Sequence, residues 1–442
     1  MEEAKNNENT ISPNGGLKMK IIFIIFGTGS LLAWNAILSD ISFFMYFQGK
    51  YDPSTSFAFC NFALNIAFQL IMIWKKQILP YKIQLIIGLI ASIFSLLSLP
   101  IVVVNFEINS LTGFILSAAI ILIQGLVNAL CMSGFFGLTS FFPREMIISL
   151  STGQGISGIL MNIIGYIVLA SVNTGDDDNN AKLGAIIYFS ISGFILLLTL
   201  ITLIFAFKTE YFRYYLGKTK DFESKSQQIE NEIENQPITK ASISDKSTAE
   251  LIEKVNESAE KKEEITFSQL FKSLYEIDLL SCFIYIITFS LFPSVSISQR
   301  LFKTGKYRAI IIITIYNVGD TFGRFIMSSI KFTRGLAYTI ICGRSILVLA
   351  LILNFYCDMK LGMDPTVSSI LLIIYVSILA ITNGMGTTIC LGLAPTMVPN
   401  SMKGRAGSSV SFFNILGIFL GTCVAFMTKY IINQIGEYIE KE

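Results

Sequence analysis

The 442-residue sequence contains no histidine, and its seven cysteines include no Cys-x-x-Cys pair. Histidine is the commonest general base and metal ligand, so its absence removes the most frequent catalytic and zinc-binding arrangements. The cysteines lie mostly within apolar runs and lack the spacing of a disulfide framework. The sequence also lacks a phosphate-binding Gly-x-x-x-x-Gly-Lys-Ser/Thr loop and a nucleophile elbow. We therefore expect neither an enzyme nor a cofactor or metal site.

Charge is also scarce, at 14% of residues against 52% hydrophobic ones, and the mean hydropathy is +0.62. An ordinary soluble domain carries about 25% charged residues. Because a hydrocarbon core about 30 Å thick needs about 20 apolar residues per helix, the apolar runs predict an all-α integral membrane protein. About eleven transmembrane helices are expected, near 20–47, 56–74, 83–104, 111–142, 149–172, 183–207, 274–299, 309–330, 336–356, 366–395 and 405–433.

One long polar segment, roughly 208–272, separates six predicted spans from five. It is rich in Glu, Lys, Ser, Asn and Gln, so a flexible linker is predicted, with a short amphipathic helix within Thr248–Glu264 as an alternative. We predict five parts along the chain: an N-terminal tail (1–19), a six-helix bundle (20–207), the linker (208–272), a five-helix bundle (273–433) and a C-terminal tail (434–442).

Basic residues in the short loops predict the orientation of the chain. Lys18 and Lys20 precede the first span, and most other loop lysines and arginines fall on that side, whereas the acidic run 176–178 falls opposite. A cytosolic N-terminus and an extracellular C-terminus are therefore expected. The plasma membrane is the expected location, although the loop charges do not distinguish it from an internal membrane. The basic loop over 300–308 disagrees, and one interpretation is that it lines an outer entrance.

An acid and a base lie one helical turn apart in the eighth predicted span. Asn317 extends the stripe of Asp320 and Arg324 along the same face. Charge costs about 2.5 to 3.5 kcal/mol per group at membrane depth, so this face is expected to meet protein or water. Either the stripe lines a cavity, where a carboxylate and a guanidinium can bind polar groups of a permeant, or the pair only neutralises itself between helices.

Aromatic and aliphatic residues supply further candidates. Trp34 shares one face of the first span with Leu31 and Leu38, and its indole could contact a flat ring of a ligand. The alternative is an ordinary buried aromatic residue. Phe292, which precedes Pro293, is a candidate of the same kind.

Four polar residues within the spans complete the set. Asn35, Gln154 and Asn383 could bind a permeant, although amides also link membrane helices to one another. Asp40 has no base three or four residues away, so it could carry a proton, as intramembrane acids do in coupled transporters. The alternative is that Asp40 lies near the outer mouth and stays hydrated.

Short motifs along the whole chain resemble those of the equilibrative nucleoside transporters. Leu31-Leu32-Ala33-Trp34-Asn35 is similar to that family's Leu-Leu-Pro-Trp-Asn, with Ala33 where proline is usual. The remaining matches follow in the family's order: Phe136-Gly137-Leu138, Ser151 to Gly158, Tyr211 to Tyr215, Phe292-Pro293, Asn317 to Arg324, Arg344, Asn383-Gly384, Ala406-Gly407 and Phe412-Phe413.

The resemblance implies a major-facilitator-like fold, with two helical bundles around a cavity that opens to alternate sides. It implies a facilitative transporter of nucleosides, with nucleobases as further candidates and no nucleic acid polymer as partner. In that family the acid and base at the positions of Asp320 and Arg324 are associated with permeant recognition, and the Trp34 position lies at the cavity.

The fourth span departs from the family pattern. Alignment on Phe136-Gly137 places Met132 where mammalian-type members have a glutamine, so a donor and acceptor for the base is lost there. Base selectivity is therefore expected to differ.

Other functions remain open from the sequence. A proton-coupled carrier and a carrier of another small polar metabolite are alternatives within transporters. A membrane receptor or scaffold is the alternative of a different class, and it would use the linker to recruit cytosolic partners that the sequence does not identify.

Overall fold

Long helices make up most of the described part of this computed structural model. It describes residues 15–74, 79–172, 178–217, 267–299, 301–302, 308–360, 362–399 and 402–439. The first seven helices are α1 (Gly16–Ser39), α2 (Ile41–Gln48), α3 (Pro53–Trp74), α4 (Tyr81–Asn105), α5 (Leu111–Thr139), α6 (Arg144–Val172) and α7 (Asp178–Ala206). The others are α8 (Phe267–Leu291), α9 (Ser294–Ser298), α10 (Arg308–Ile326), α11 (Arg334–Gly343), α12 (Ile346–Lys360), α13 (Pro365–Leu393) and α14 (Lys403–Ile439).

The prediction of an all-α, multi-pass membrane protein is confirmed. Within the described ranges, nine helices are long and apolar enough to cross a membrane, and the bent pair Ile41–Tyr51 and Ser56–Met72 makes a tenth. Helix α10, with 19 residues, matches the eighth predicted span and is outside that count. Many large apolar side chains point outward, such as Phe94 and Leu349, which are 71% and 72% exposed. Such a surface is suited to lipid.

The prediction of one continuous first span was wrong at its second half. Helix α1 ends at Ser39, and α2 begins at Ile41 after a non-helical Asp40. Serine and aspartate favour helix ends because their side chains compete for local hydrogen bonds. Here the Ser39 hydroxyl donates instead to Oδ1 of Asn162 on α6, at 2.7 Å.

The ninth predicted span, 336–356, is also divided, because α11 ends at Gly343 and α12 begins at Ile346. Arg344 lies at this break and is buried. Its Nη2 donates to Oγ1 of Thr288 at 2.7 Å and to the Leu379 carbonyl at 3.1 Å. Since a buried guanidinium is costly without acceptors, these bonds hold the broken segment in place.

The helices pack as an N-terminal bundle, α1–α7, and a C-terminal bundle, α8–α14. The bundles meet where α10 packs on α6 and where α14 packs on α3 and α5. Within each bundle, glycine permits a close helix crossing. A Cβ at Gly153 would lie 2.0 Å from the Ile24 carbonyl oxygen, and one at Gly417 would lie 2.2 Å from that of Cys282. Small residues serve this purpose in membrane helices generally.

Helix α13 has a capped N-terminus outside the apolar span. The carboxylate of Asp364 accepts hydrogen bonds from the backbone N–H groups of Thr366 and Val367, at 2.7 and 3.3 Å. These bonds stabilise the ionised form and lower the pKa of Asp364 below its ordinary value.

Several predicted segments lie partly or wholly outside the described residues. They are the N-terminal tail up to residue 14, most of the acidic loop, residues 218–266 of the linker with Thr248–Glu264, and residues 300 and 303–307 of the basic loop. At the boundaries, α8 begins at Phe267, before the predicted start at 273, and α14 continues to Ile439, past the predicted end at 433.

Candidate functional site

A cavity lies between the two bundles and receives side chains from both. Its volume is about 90 Å³, and it is partly open to solvent. Helices α1, α3, α5 and α6 line it on one side, and α8, α10, α13 and α14 on the other. All of the ligand candidates predicted from the sequence line this cavity: Leu31, Trp34, Asn35, Leu38, Met132, Gln154, Phe292, Asn317, Asp320, Arg324 and Asn383.

Asp320 and Arg324 form a buried ion pair on α10. Nε of Arg324 donates to Oδ2 of Asp320 at 2.7 Å, and the two residues are only 3% and 6% exposed, arginine first. Charge-assisted hydrogen bonds of this kind are stronger than neutral ones. The sequence left two alternatives open, a stripe that lines a cavity and a pair that neutralises itself. Both descriptions apply, because the two charges neutralise each other and also line the cavity.

Arg324 also joins the two bundles. Its Nη1 donates to the Ser151 hydroxyl at 3.0 Å, to the Ser151 carbonyl at 3.2 Å and to Oε1 of Gln154 at 3.1 Å. Ser151 and Gln154 both belong to α6 of the N-terminal bundle. The hydrogen bonds of a single guanidinium therefore cross the interface between the bundles at the cavity.

Asn383 holds the other carboxylate oxygen of Asp320. Its Nδ2 donates to Oδ1 of Asp320 at 2.7 Å, while its own Oδ1 accepts from Thr288 at 2.8 Å and from Nη1 of Arg344 at 3.4 Å. Asp320 is therefore fixed from both sides, and Arg344 supports it from behind the cavity wall.

Aromatic rings line the cavity on both bundles. The Trp34 and Phe62 rings meet edge to face, with centroids 4.9 Å apart. Phe292 stacks on Tyr316 with centroids 3.9 Å apart and an interplanar angle of 10°. A flat heterocycle would thus find apolar ring surfaces in this cavity.

The amide side chains predicted from the sequence line the cavity and also link helices to one another. Nδ2 of Asn35 donates to the Ser157 hydroxyl at 2.5 Å, and Nε2 of Gln154 donates to the Ser30 hydroxyl at 3.2 Å. Asn317 packs against α6, where a Cβ at Gly158 would lie 2.6 Å from its Cγ.

Met132, which aligns with the glutamine of mammalian-type members, lines the cavity. Its sulfur accepts a weak hydrogen bond from Nε2 of Gln154, at 3.6 Å. A thioether is only a weak acceptor and donates nothing, so the departure seen in the sequence changes the chemistry of the cavity wall.

Sequence reasoning missed four more asparagines that line the cavity. Asn61 and Asn65 lie on α3, Asn128 on α5 and Asn414 on α14. A signal was present, because each is an amide within an apolar run, and Asn61 and Asn65 are spaced to share a helix face.

Asp40 does not line this cavity. It is half-buried beside a second cavity, of about 260 Å³, together with Ser39, Tyr46 and Tyr188. Its predicted role in proton transfer is therefore separate in space from Asp320 and Arg324.

Comparison with known proteins identifies the family of this chain. The family model described as nucleoside transporter matches residues 117–430. The chain belongs to the nucleoside transporter family. Its curated relatives in this family include equilibrative nucleotide transporter 4 of Arabidopsis thaliana, 26% identical over 95% of both chains. Equilibrative nucleoside transporter 1 of Homo sapiens is 20% identical over 93% of this chain and 97% of its own. The family predicted from the motifs is confirmed.

Solved structures of major facilitator transporters share the fold. The proton:xylose symporter XylE covers 95% of this chain and 90% of its own with a TM-score of 0.67, at 13% identity. The fucose:proton symporter FucP of E. coli covers 96% and 94% with a TM-score of 0.56, also at 13% identity. The predicted major-facilitator-like arrangement is confirmed, and at this level of identity the likeness concerns the fold alone.

Proposed function

We propose that this chain is a facilitative transporter that moves nucleosides, and also nucleobases, across the membrane by alternating access. Membership of the nucleoside transporter family supports the permeant class. The observation that carries the proposal is the cavity between the bundles, where Arg324 bonds to Asp320 of its own helix and to Ser151 and Gln154 of the other bundle.

The charge of the cavity favours nucleosides over nucleotides. Among the described residues that line it, Asp320 and Arg324 are the charged ones, and they neutralise each other. A phosphate ester brings about 1.5 to 2 negative charges and needs unpaired cationic donors. A carboxylate has about four acceptor positions, so Asp320 can accept ribose hydroxyls in addition to its two present donors.

Competition for Arg324 offers a physical link between binding and movement. A permeant hydroxyl that bonds to the guanidinium replaces part of its contact with Ser151 and Gln154 on α6. Weaker bonds across the interface lower the cost of rocking one bundle against the other. Occupancy of the cavity thereby favours the change in which side is open.

Radiolabelled adenosine, uridine and hypoxanthine uptake in a transport-deficient host tests this function. Asp320→Asn should abolish uptake at equal surface expression, because the ionic partner of Arg324 is lost. Asp364→Asn is the matched control, since Asp364 is exposed, caps α13, and asparagine caps helices equally well. Normal uptake by Asp320→Asn would refute the role of Asp320, and no uptake of any of these compounds by the wild-type chain would refute the function.

Proton coupling is the second candidate, because Asp40 is an acid within the apolar helices that lines a cavity partly open to solvent, from which a proton can reach it. The same assay with an imposed pH gradient should then show faster uptake from the acidic side, lost in Asp40→Asn. An uptake rate that does not change with the pH gradient would refute proton coupling.

The plasma membrane, a cytosolic N-terminus and an extracellular C-terminus remain part of the proposal. A scaffold without transport predicts no flux at all.

A further inference from the structure

We propose that Asn61, Asn65 and Asn128 form an amide wall that binds the nucleobase edge and prefers bases with a carbonyl group there. All three line the cavity on helices α3 and α5 of the N-terminal bundle. The inference rests on the proposed function, because it names the class of nucleoside that the same cavity selects.

The amide wall is oriented by a chain of hydrogen bonds that runs in one direction. Nε2 of Gln124 donates to Oδ1 of Asn128 at 2.9 Å, and Nδ2 of Asn128 donates to Oδ1 of Asn61 at 3.1 Å. On α3, Nε2 of Gln69 donates to Oδ1 of Asn65 at 2.6 Å. Each wall asparagine therefore has its oxygen held by another amide, which fixes the direction of its NH₂ group.

The chain ends in a donor without a partner. Asn61 is fully buried and lines the cavity, yet its Nδ2 has no hydrogen-bond partner among the described residues. A buried unsatisfied N–H is unfavourable, so a ligand acceptor that reaches it gains more than it would at a solvated donor. The missing partner is an acceptor, such as a base carbonyl oxygen.

The surroundings of the wall suit a base better than a sugar. Phe62 follows Asn61 on α3, and its ring meets Trp34 at 4.9 Å and Phe289 at 6.3 Å. Amide groups beside aromatic surfaces match the polar edge and apolar faces of a heterocycle, as asparagine and glutamine do when they read base edges in nucleic acids. The ionic partners for ribose hydroxyls, Asp320 and Arg324, lie on the other bundle.

The wall also replaces chemistry that Met132 lacks. Asn128 precedes Met132 by four residues on α5, so both lie on the same helix face, and both line the cavity. The donor and acceptor absent at Met132 thus recur one turn earlier, within contact of Asn61.

Competition of unlabelled analogues against radiolabelled uridine uptake tests the preference. Inosine has a carbonyl at position 6 of the base, and purine riboside lacks it. Wild type should bind inosine about 3- to 10-fold more tightly than purine riboside, the effect of one neutral hydrogen bond. Asn61→Leu should bring that ratio close to one, while the ratio of inosine to 3′-deoxyinosine stays unchanged because the ribose partners are intact.

Asn354→Leu serves as the matched control. Asn354 is also a buried amide, bonded to Gln299 at 3.0 Å, but it lies on α12 away from the cavity lining, so its substitution should leave both ratios as in wild type. If Asn61→Leu does not reach the membrane, Asn128→Ala, which removes the group that orients Asn61, should lower the base ratio.

Two results would overturn the amide wall without touching the proposed function. One is a wild-type transporter of uridine that does not distinguish inosine from purine riboside. The other is a base ratio that survives both Asn61→Leu and Asn128→Ala. An absence of uridine uptake in wild type would instead refute the proposed function itself.

Discussion

At the scale of single residues, Arg324 makes a set of hydrogen bonds that a lysine could not make. Its Nε bonds Asp320 while its Nη1 reaches Ser151 and Gln154, so one planar group serves two helices at once. Lysine carries the same charge on a single nitrogen and cannot reproduce this fork.

Arg324→Lys should therefore lower the ratio of maximal uptake rate to KM by about 10-fold or more, because at least one charge-assisted hydrogen bond is lost. Initial-rate uptake at equal surface expression measures this. Arg334→Lys is the control, since Arg334 pairs with Glu276 at the surface, at 3.3 Å, with its side chain 57% exposed. Wild-type kinetics in Arg324→Lys would show that charge alone suffices.

Single residues were predictable where their type conflicts with a lipid environment. Asp320, Arg324 and Gln154 stand out in apolar runs, and all lie at the cavity. Asn61 and Asn128 carry the same kind of signal in weaker form, because a lone uncharged amide is common at helix contacts. Their hydrogen bond to each other joins two helices, and no local pattern in the sequence encodes that contact.

At the scale of helices, the crossing of α10 and α13 positions the site. A Cβ at Gly384 on α13 would lie 2.0 Å from the Asp320 carbonyl oxygen and 2.9 Å from the backbone nitrogen of Arg324. The two helices can approach this closely only because residue 384 has no side chain. The same contact places Asn383 within reach of the Asp320 carboxylate.

Gly384→Ala should separate α10 from α13 and move Asp320 away from Asn383. Overpacking of this kind costs about 1–3 kcal/mol, so both uptake and the melting temperature of the purified protein should fall. Gly335→Ala is the control, because a Cβ at Gly335 on α11 has no heavy atom within 4 Å. Unchanged uptake and melting temperature in Gly384→Ala would contradict the close crossing.

Helix positions followed from apolar length, but helix breaks did not. The interruption at Asp40 accompanies a bond from Ser39 to Asn162, and the one at Arg344 accompanies bonds to Thr288 and Leu379. These partners come from distant parts of the chain, so the local sequence reads as continuous. Proline, in contrast, acts locally, and Pro143 and Pro395 lie just beyond the ends of α5 and α13.

At the scale of the whole molecule, polar contacts between the bundles extend beyond the cavity. Arg144 at the start of α6 stacks on Phe332, with its guanidinium carbon 3.8 Å from the ring centroid. It also donates to the carbonyls of Met327 and Ile330, which follow α10. Alternating access requires such contacts to break and re-form as the bundles rock. The bundles themselves were predictable from the polar segment between the sixth and seventh spans, whereas their interface was not.

Counterflow in proteoliposomes measures the central claim most directly, because it requires a permeant site that faces each side in turn and needs no energy source. Vesicles that contain the purified chain and are loaded with unlabelled uridine should transiently accumulate labelled uridine from outside, whereas vesicles with Asp320→Asn should not. Absence of counterflow in the wild-type chain, or equal counterflow in Asp320→Asn, would contradict a carrier whose binding site is built around Asp320 and Arg324.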